Sequence, residues 1–105
     1  IQFENQKVQK SMSNMKELTA KIGLSMAKTV KQRYNQLEAC ENFEQYMKTG
    51  LGVPHPLNGN LKECYAIRIT GNYRLVVQPE TLGNKKIIIK GVLDYHETKN
   101  EWIIP

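Results

Sequence analysis

The chain has 105 residues, with 15 Lys or Arg against 10 Asp or Glu, a formal charge of +5 and a pI near 9.3. That length suits one small domain, residues 1–105, which can bury roughly two-thirds of its unfolded surface. No apolar run is long enough to cross a membrane, no charged start leading into an apolar core marks a secretion signal, and Cys40 and Cys64 have neither CxxC spacing nor a neighbouring His. A cytoplasmic protein with two buried, reduced thiols is expected.

Residues 1–4 alternate apolar and polar, as a short strand does. The period then changes. Val8, Met12, Met15, Leu18 and Ile22 form one helical stripe, and Gly23 stands where a helix C-terminus accepts a left-handed residue. Ser25 is placed to cap a second helix, in which Ala27, Val30, Tyr34 and Leu37 repeat the spacing. The two helices should form an antiparallel hairpin with its basic side outward, because Lys7, Lys10, Lys16, Lys21, Lys28, Lys31 and Arg33 are opposed in this stretch only by Glu17. Such a surface suits a polyanion or an acidic partner, and equally a solvated face chosen for solubility. Phe43, Tyr46 and Met47 add a short helical turn.

"GLGVPHPLNGN", residues 50–60, is a loop, and His55 between Pro54 and Pro56 is held in extended backbone there. Three strands follow, "ECYAIRIT", "NYRLVVQ" and "KKIIIKGVL", joined by "TGN" and "PETLGN". The order predicts an α+β domain: an N-terminal strand, a helical hairpin, then an antiparallel three-stranded meander with helices on one face. For either tight turn around Gly71, regular pairing puts Asn72 and Arg74 on the side of Ile67 and Ile69. An arginine among Val and Ile needs a partner, since burying its charge alone is costly.

The last strand runs into Asp94, Tyr95 and His96. Asp94 is the only aspartate and His96 one of 2 histidines, whereas a turn is more usually built from Gly, Asn or Pro. Together, "HPLNGNLKECYAIRITGNYRLVV" and the later "DYH" resemble the RelE/ParE superfamily of bacterial type II toxins, nearest its HigB-like branch. The resemblance is good over roughly residues 53–96; before that only the order of elements agrees. It implies a RelE-like microbial RNase fold and a cytoplasmic toxin that cuts messenger RNA in the ribosomal decoding site. It also implies a cognate antitoxin, a helix-turn-helix protein. The functional positions it carries over are His55, Asn72, Arg74, Asp94, Tyr95 and His96. RelE-type members use a lysine-rich site, which here has only Lys62 near the motif, and the tail "ETKNEWIIP" with Trp102 has no counterpart.

Metal-independent RNA cleavage must take a proton from a 2′-hydroxyl, stabilise a phosphorane-like transition state and protonate the leaving 5′-oxygen. Two imidazoles and an arginine can do this without a cofactor. Arg74 is expected to hold phosphate, His96 to act as acid or base, and His55 or Asp94 to complement it. Asp94 and His96, two apart, share a side if the strand stays extended. Tyr95 could stack on a base or pack in the core, and Asn72 could serve RNA or its own turn. Lys28, Lys31 and Lys62 are candidate RNA contacts. Three other readings compete: a ParE-type inhibitor of DNA gyrase without catalysis; a metal site of His55, Asp94 and His96, for which the spacing is wrong; and a nucleic-acid or protein-binding module without catalysis, supported by the basic helices alone.

Overall fold

A computed structural model describes residues 1–95 and 100–104. In chain order come β1 (Gln2–Phe3), α1 (Gln6–Ser13), α2 (Met15–Ile22), α3 (Leu24–Ala39), α4 (Phe43–Thr49), β2 (His55–Pro56), a 3-10 turn (Gly59–Leu61), β3 (Tyr65–Thr70), β4 (Tyr73–Pro79), β5 (Ile87–Tyr95) and β6 (Asn100–Ile104). The fold is α+β, as expected, and β3, β4 and β5 form the antiparallel meander. The sheet is wider than the meander. Its order is β1-β5-β4-β3-β2, with β1 parallel to the first half of β5 and β6 antiparallel to the second half.

The first helical stripe is not one helix. Asn14 breaks it, because its backbone is extended and its side chain accepts from the N–H groups of Lys16 (2.9 Å) and Glu17 (3.4 Å). An Asx cap satisfies the exposed donors of a new helix start, and the break leaves Met15 exposed, not in the stripe. Ser25 does not cap either: α3 starts one residue earlier, directly after Gly23, whose φ of 84° with ψ of 160° lets one residue end α2 and begin α3. Asn42 caps α4 by accepting from Gln45 N–H at 2.8 Å, which fixes the turn that buries Phe43 and Tyr46.

The described α-helices lie on one face of the sheet. Val8, Leu18, Val30 and Leu37 pack there against Ile67, Leu75, Ile89 and Ile104. The other face carries a smaller apolar cluster of Leu57, Cys64, Ala66, Val76 and Leu93, and among the described residues no α-helix covers it, so it is called the open face. Both thiols are free, but only Cys64 is buried; Cys40 is half-buried. Burial pushes the Cys64 thiol pKa up, against a smaller lowering by Lys90, which keeps the sulfur in its unreactive form.

Three bulges decide which side chains face where. Thr70 pairs with Tyr73 but Arg68 with Arg74, so Ile69 is an extra residue on β3. Val76 pairs with Gly91 but Val77 with Ile89, making Lys90 extra on β5; Leu93 pairs with Trp102 but Val92 with Ile104, making Ile103 extra on β6. The first bulge overturns the parity expected from regular pairing. Arg74 faces away from Ile67 and Ile69, onto the open side with Arg68.

Candidate RNA-binding face of the sheet

Residues 50–54 place His55. Gly50 and Gly52 both have φ of 72° and Val53 has φ of 46°, so the chain coils tightly before Pro54. Two anchors hold this coil: Tyr46 Oη donates to the Leu51 carbonyl at 2.7 Å, and Arg68 N–H donates to the Gly52 carbonyl at 2.7 Å. A side chain at Gly52 would run into Ile67 and, at 3.0 Å, Arg33 Nε. Arg33 therefore does not join the outward basic surface. Its Nε donates to the Arg68 carbonyl at 3.0 Å, tying α3 to the edge of β3.

Beyond the coil, His55 pairs with Ala66 and shares the open face, with its Nδ1 3.3 Å from the Val53 carbonyl oxygen. Tyr95 ends β5, its backbone N–H donating to the Asn72 carbonyl at 2.7 Å. Its ring lies edge-on to His55 with centroids 6.5 Å apart, and the Arg74 guanidinium carbon is 5.9 Å from the ring centre. That distance suits a cation–π contact. His55, Arg74 and Tyr95 thus converge, and Tyr95, 38 % exposed, is not a core residue.

The guanidinium is held by the β3–β4 turn. Arg74 Nη1 donates to the carbonyls of Gly71 (2.6 Å) and Tyr73 (3.1 Å), while Nε is buried without an acceptor among the described residues. The Nη2 edge makes no hydrogen bond to a described residue, so it is the prong available to an incoming anion. Arg68 sits directly across from Arg74, and neither is in an ion pair among the described residues. Burial, and secondarily the Arg68 charge, lowers the Arg74 pKa, with Tyr95 acting the other way. Like charges directly opposed across strands are destabilising, and a bound anion would relieve them.

The remaining candidates among the described residues do not join this cluster. Asp94 pairs with Tyr73 and alternates with Leu93 and Tyr95, so it faces the other side of the sheet from Arg74. His96 lies outside the described residues. Asn72 is exposed in the turn and contributes its backbone to Tyr95. Lys62 is exposed on the open face but beside Asn60, Glu63, Gln78 and Lys90, toward the other end of β3. Lys28 and Lys31 are exposed on α3, across the sheet from Arg74, where they line a groove with Met15, Gln32, Asn35, Gln36 and Ala39. Sequence reasoning missed Arg68, although the alternation of "AIRIT" carries it: Ala66 and Arg68 fall on one face and Ile67 on the other.

No protein-family profile and no curated protein matches the chain. Two solved structures share the fold. One is from a YoeB–YefM complex of Staphylococcus aureus, with a TM-score of 0.60 and 21% identity over 90% of this chain and 93% of that one. The other is a YoeB dimer from the same organism, with a TM-score of 0.58 and 22% identity over the same shares.

Proposed function

We propose that this chain is the toxin of a type II toxin–antitoxin pair, a ribosome-dependent endoribonuclease that cuts messenger RNA in the decoding site. The observation that carries the reading is the Arg68–Arg74 pair, unneutralised among the described residues, under His55 and Tyr95 on an open sheet face. It is an anion site with a titratable group beside it. The likeness in fold to YoeB, a RelE-superfamily toxin, supports the same reading, and the YoeB–YefM complex supports a cognate antitoxin as partner. The sequence Asp94-Tyr95-His96 is what favours the HigB-like branch.

In the proposed reaction the 2′-oxygen attacks the adjacent phosphorus as its proton leaves for a base, the P–O5′ bond breaks, and an acid protonates the departing oxygen. Arg74 stabilises the charge gathering on the phosphoryl oxygens, through Nη2 first. His55 supplies one proton-transfer group. The resemblance assigns the other to His96, and Asp94, which faces across the sheet from His55 and Arg74, would position its neighbours. The products are a 2′,3′-cyclic phosphate and a 5′-hydroxyl.

Primer extension on ribosome-programmed messages tests this. His96→Gln keeps hydrogen bonding but cannot titrate, and should lower cleavage by ~10²-fold or more. Arg74→Lys keeps charge but loses the fork that grips the turn, and should also cost at least ~10-fold. Cleavage should survive a chelator when free magnesium is kept sufficient for intact ribosomes. Growth arrest on expression with no cut message, or near-normal cleavage by the His96→Gln protein, would count against the mechanism.

A further inference from the structure

We propose that Trp102 is a nucleobase-stacking residue that extends the RNA-binding face onto β6. This rests on the reading of the open face as an RNA site. The register places the residue: Arg68 pairs with Arg74, Arg74 with Leu93, and Leu93 with Trp102, so one row running across four strands reads Arg-Arg-Leu-Trp on the open face. Two strand spacings, roughly 9–10 Å, separate Trp102 from Arg74. That is close to the reach of one nucleotide, with its phosphate on the guanidinium and its base on the indole.

The placement is built into the chain. Strict alternation would put Trp102 and Ile104 on the same face. The bulge at Ile103 separates them, so that Ile104 is fully buried in the helix-side core while Trp102 stays 40 % exposed on the other side. Gly91 completes the seat, because a side chain there would strike the Ile104 carbonyl and come within 3.3 Å of the Trp102 ring. A residue needed only to cover Leu93 would bury its ring; this one leaves a large part in solvent, in line with two arginines.

Single-stranded RNA is the occupant that this row fits. Exposed aromatic rings on a sheet stack unpaired bases while basic side chains hold the backbone. Tyr95 and Trp102, on the same face as Arg74, offer two such rings. Arg68 and Arg74 supply positive charge without a carboxylate to cancel it among the described residues. An acidic protein segment would use the arginines but has no need of a bare indole beside them.

The test uses the chain's single tryptophan as its own probe. The protein is titrated with a 2′-O-methyl RNA oligonucleotide, whose blocked oxygen cannot attack, while Trp102 emission is followed. Saturable quenching is expected. By anisotropy of the labelled oligonucleotide, Trp102→Leu should bind roughly 10-fold or more weakly, within the ~5- to 150-fold range of a lost base–aromatic stack. Trp102→Phe, which keeps a π-face, should stay within about threefold of the unmodified chain by the same measure, and melting curves show whether each variant is folded. Absence of quenching overturns the inference, as does unchanged binding by Trp102→Leu or equal loss in a folded Trp102→Phe. In each case the cleavage reading stands, since it is measured on ribosomes. Quenching by a protein that never cuts messages would instead keep the Trp102 assignment and remove the nuclease.

Discussion

Val53 is the residue whose backbone is hardest to explain by packing. It is β-branched, 67 % exposed, and holds φ at 46°, a left-handed conformation that such side chains rarely adopt. Strain of this kind costs of order 1–3 kcal/mol and persists where surrounding structure enforces it. The coil aims the Val53 carbonyl at His55 Nδ1, 3.3 Å away. A carbonyl oxygen only accepts, so the contact calls for the tautomer with Nδ1 protonated. Val53→Gly should remove the steric cost, and the thermal midpoint should hold or rise slightly, because the added freedom of the unfolded glycine offsets only ~0.4–1 kcal/mol. Cleavage should nevertheless fall several-fold as the carbonyl loosens, and imidazole nitrogen shifts should report a mixed tautomer. Val53→Asn, tolerant of the same φ, should retain activity. Unchanged cleavage by Val53→Gly would show that the coil does nothing for His55.

At the scale of elements, the local chemistry of the chain was legible and the bulges were not. Each meander strand was found from its β-branched runs, and α4 from Phe43, Tyr46 and Met47. Asn14 escaped because the stripe continues across it; only its capping chemistry gives the break away. Arg74 was assigned to the wrong face because one extra residue, Ile69, reverses parity, and nothing in "RITGN" requires it. Tyr95 could be read either way until the sheet fixed its face. The tail was unreadable because β6 earns its place only by pairing with half of β5, a non-local contact that rests on Gly91. With φ of 142° and the Ile104 carbonyl against it, Gly91 has room for no side chain. Gly91→Ala should therefore cost about 2–3 kcal/mol, from overpacking together with the unfavourable φ. Urea unfolding should show a lower midpoint, and Trp102 emission should shift to the red before the global transition as β6 lifts. A coincident, unshifted transition would mean that β6 is not seated through Gly91.

For the whole molecule, two sets of basic residues lie on surfaces with the sheet between them. Arg68 and Arg74 lie on the open face, whereas Lys28 and Lys31 lie on the helical layer, the latter with its Nζ 5.1 Å from the Tyr34 ring centre. A short oligonucleotide on the sheet should not feel α3, since opposite sides of a domain this size are farther apart than a Debye length of about 8–10 Å. A ribosome can surround the domain and touch both surfaces. Lys28→Ala with Lys31→Ala should thus leave oligonucleotide affinity within about twofold. The same double change should flatten the salt dependence of ribosome association, by roughly 0.7–0.9 in slope for each lysine that had neutralised a phosphate. Sedimentation with ribosomes across a salt series measures the slope, and anisotropy measures the oligonucleotide. If neither value moves, the helical lysines are a solvated face and the ribosome is held from the sheet side. If both move together, the two surfaces do not act separately, and the separation of the two sets has no bearing on how RNA is bound.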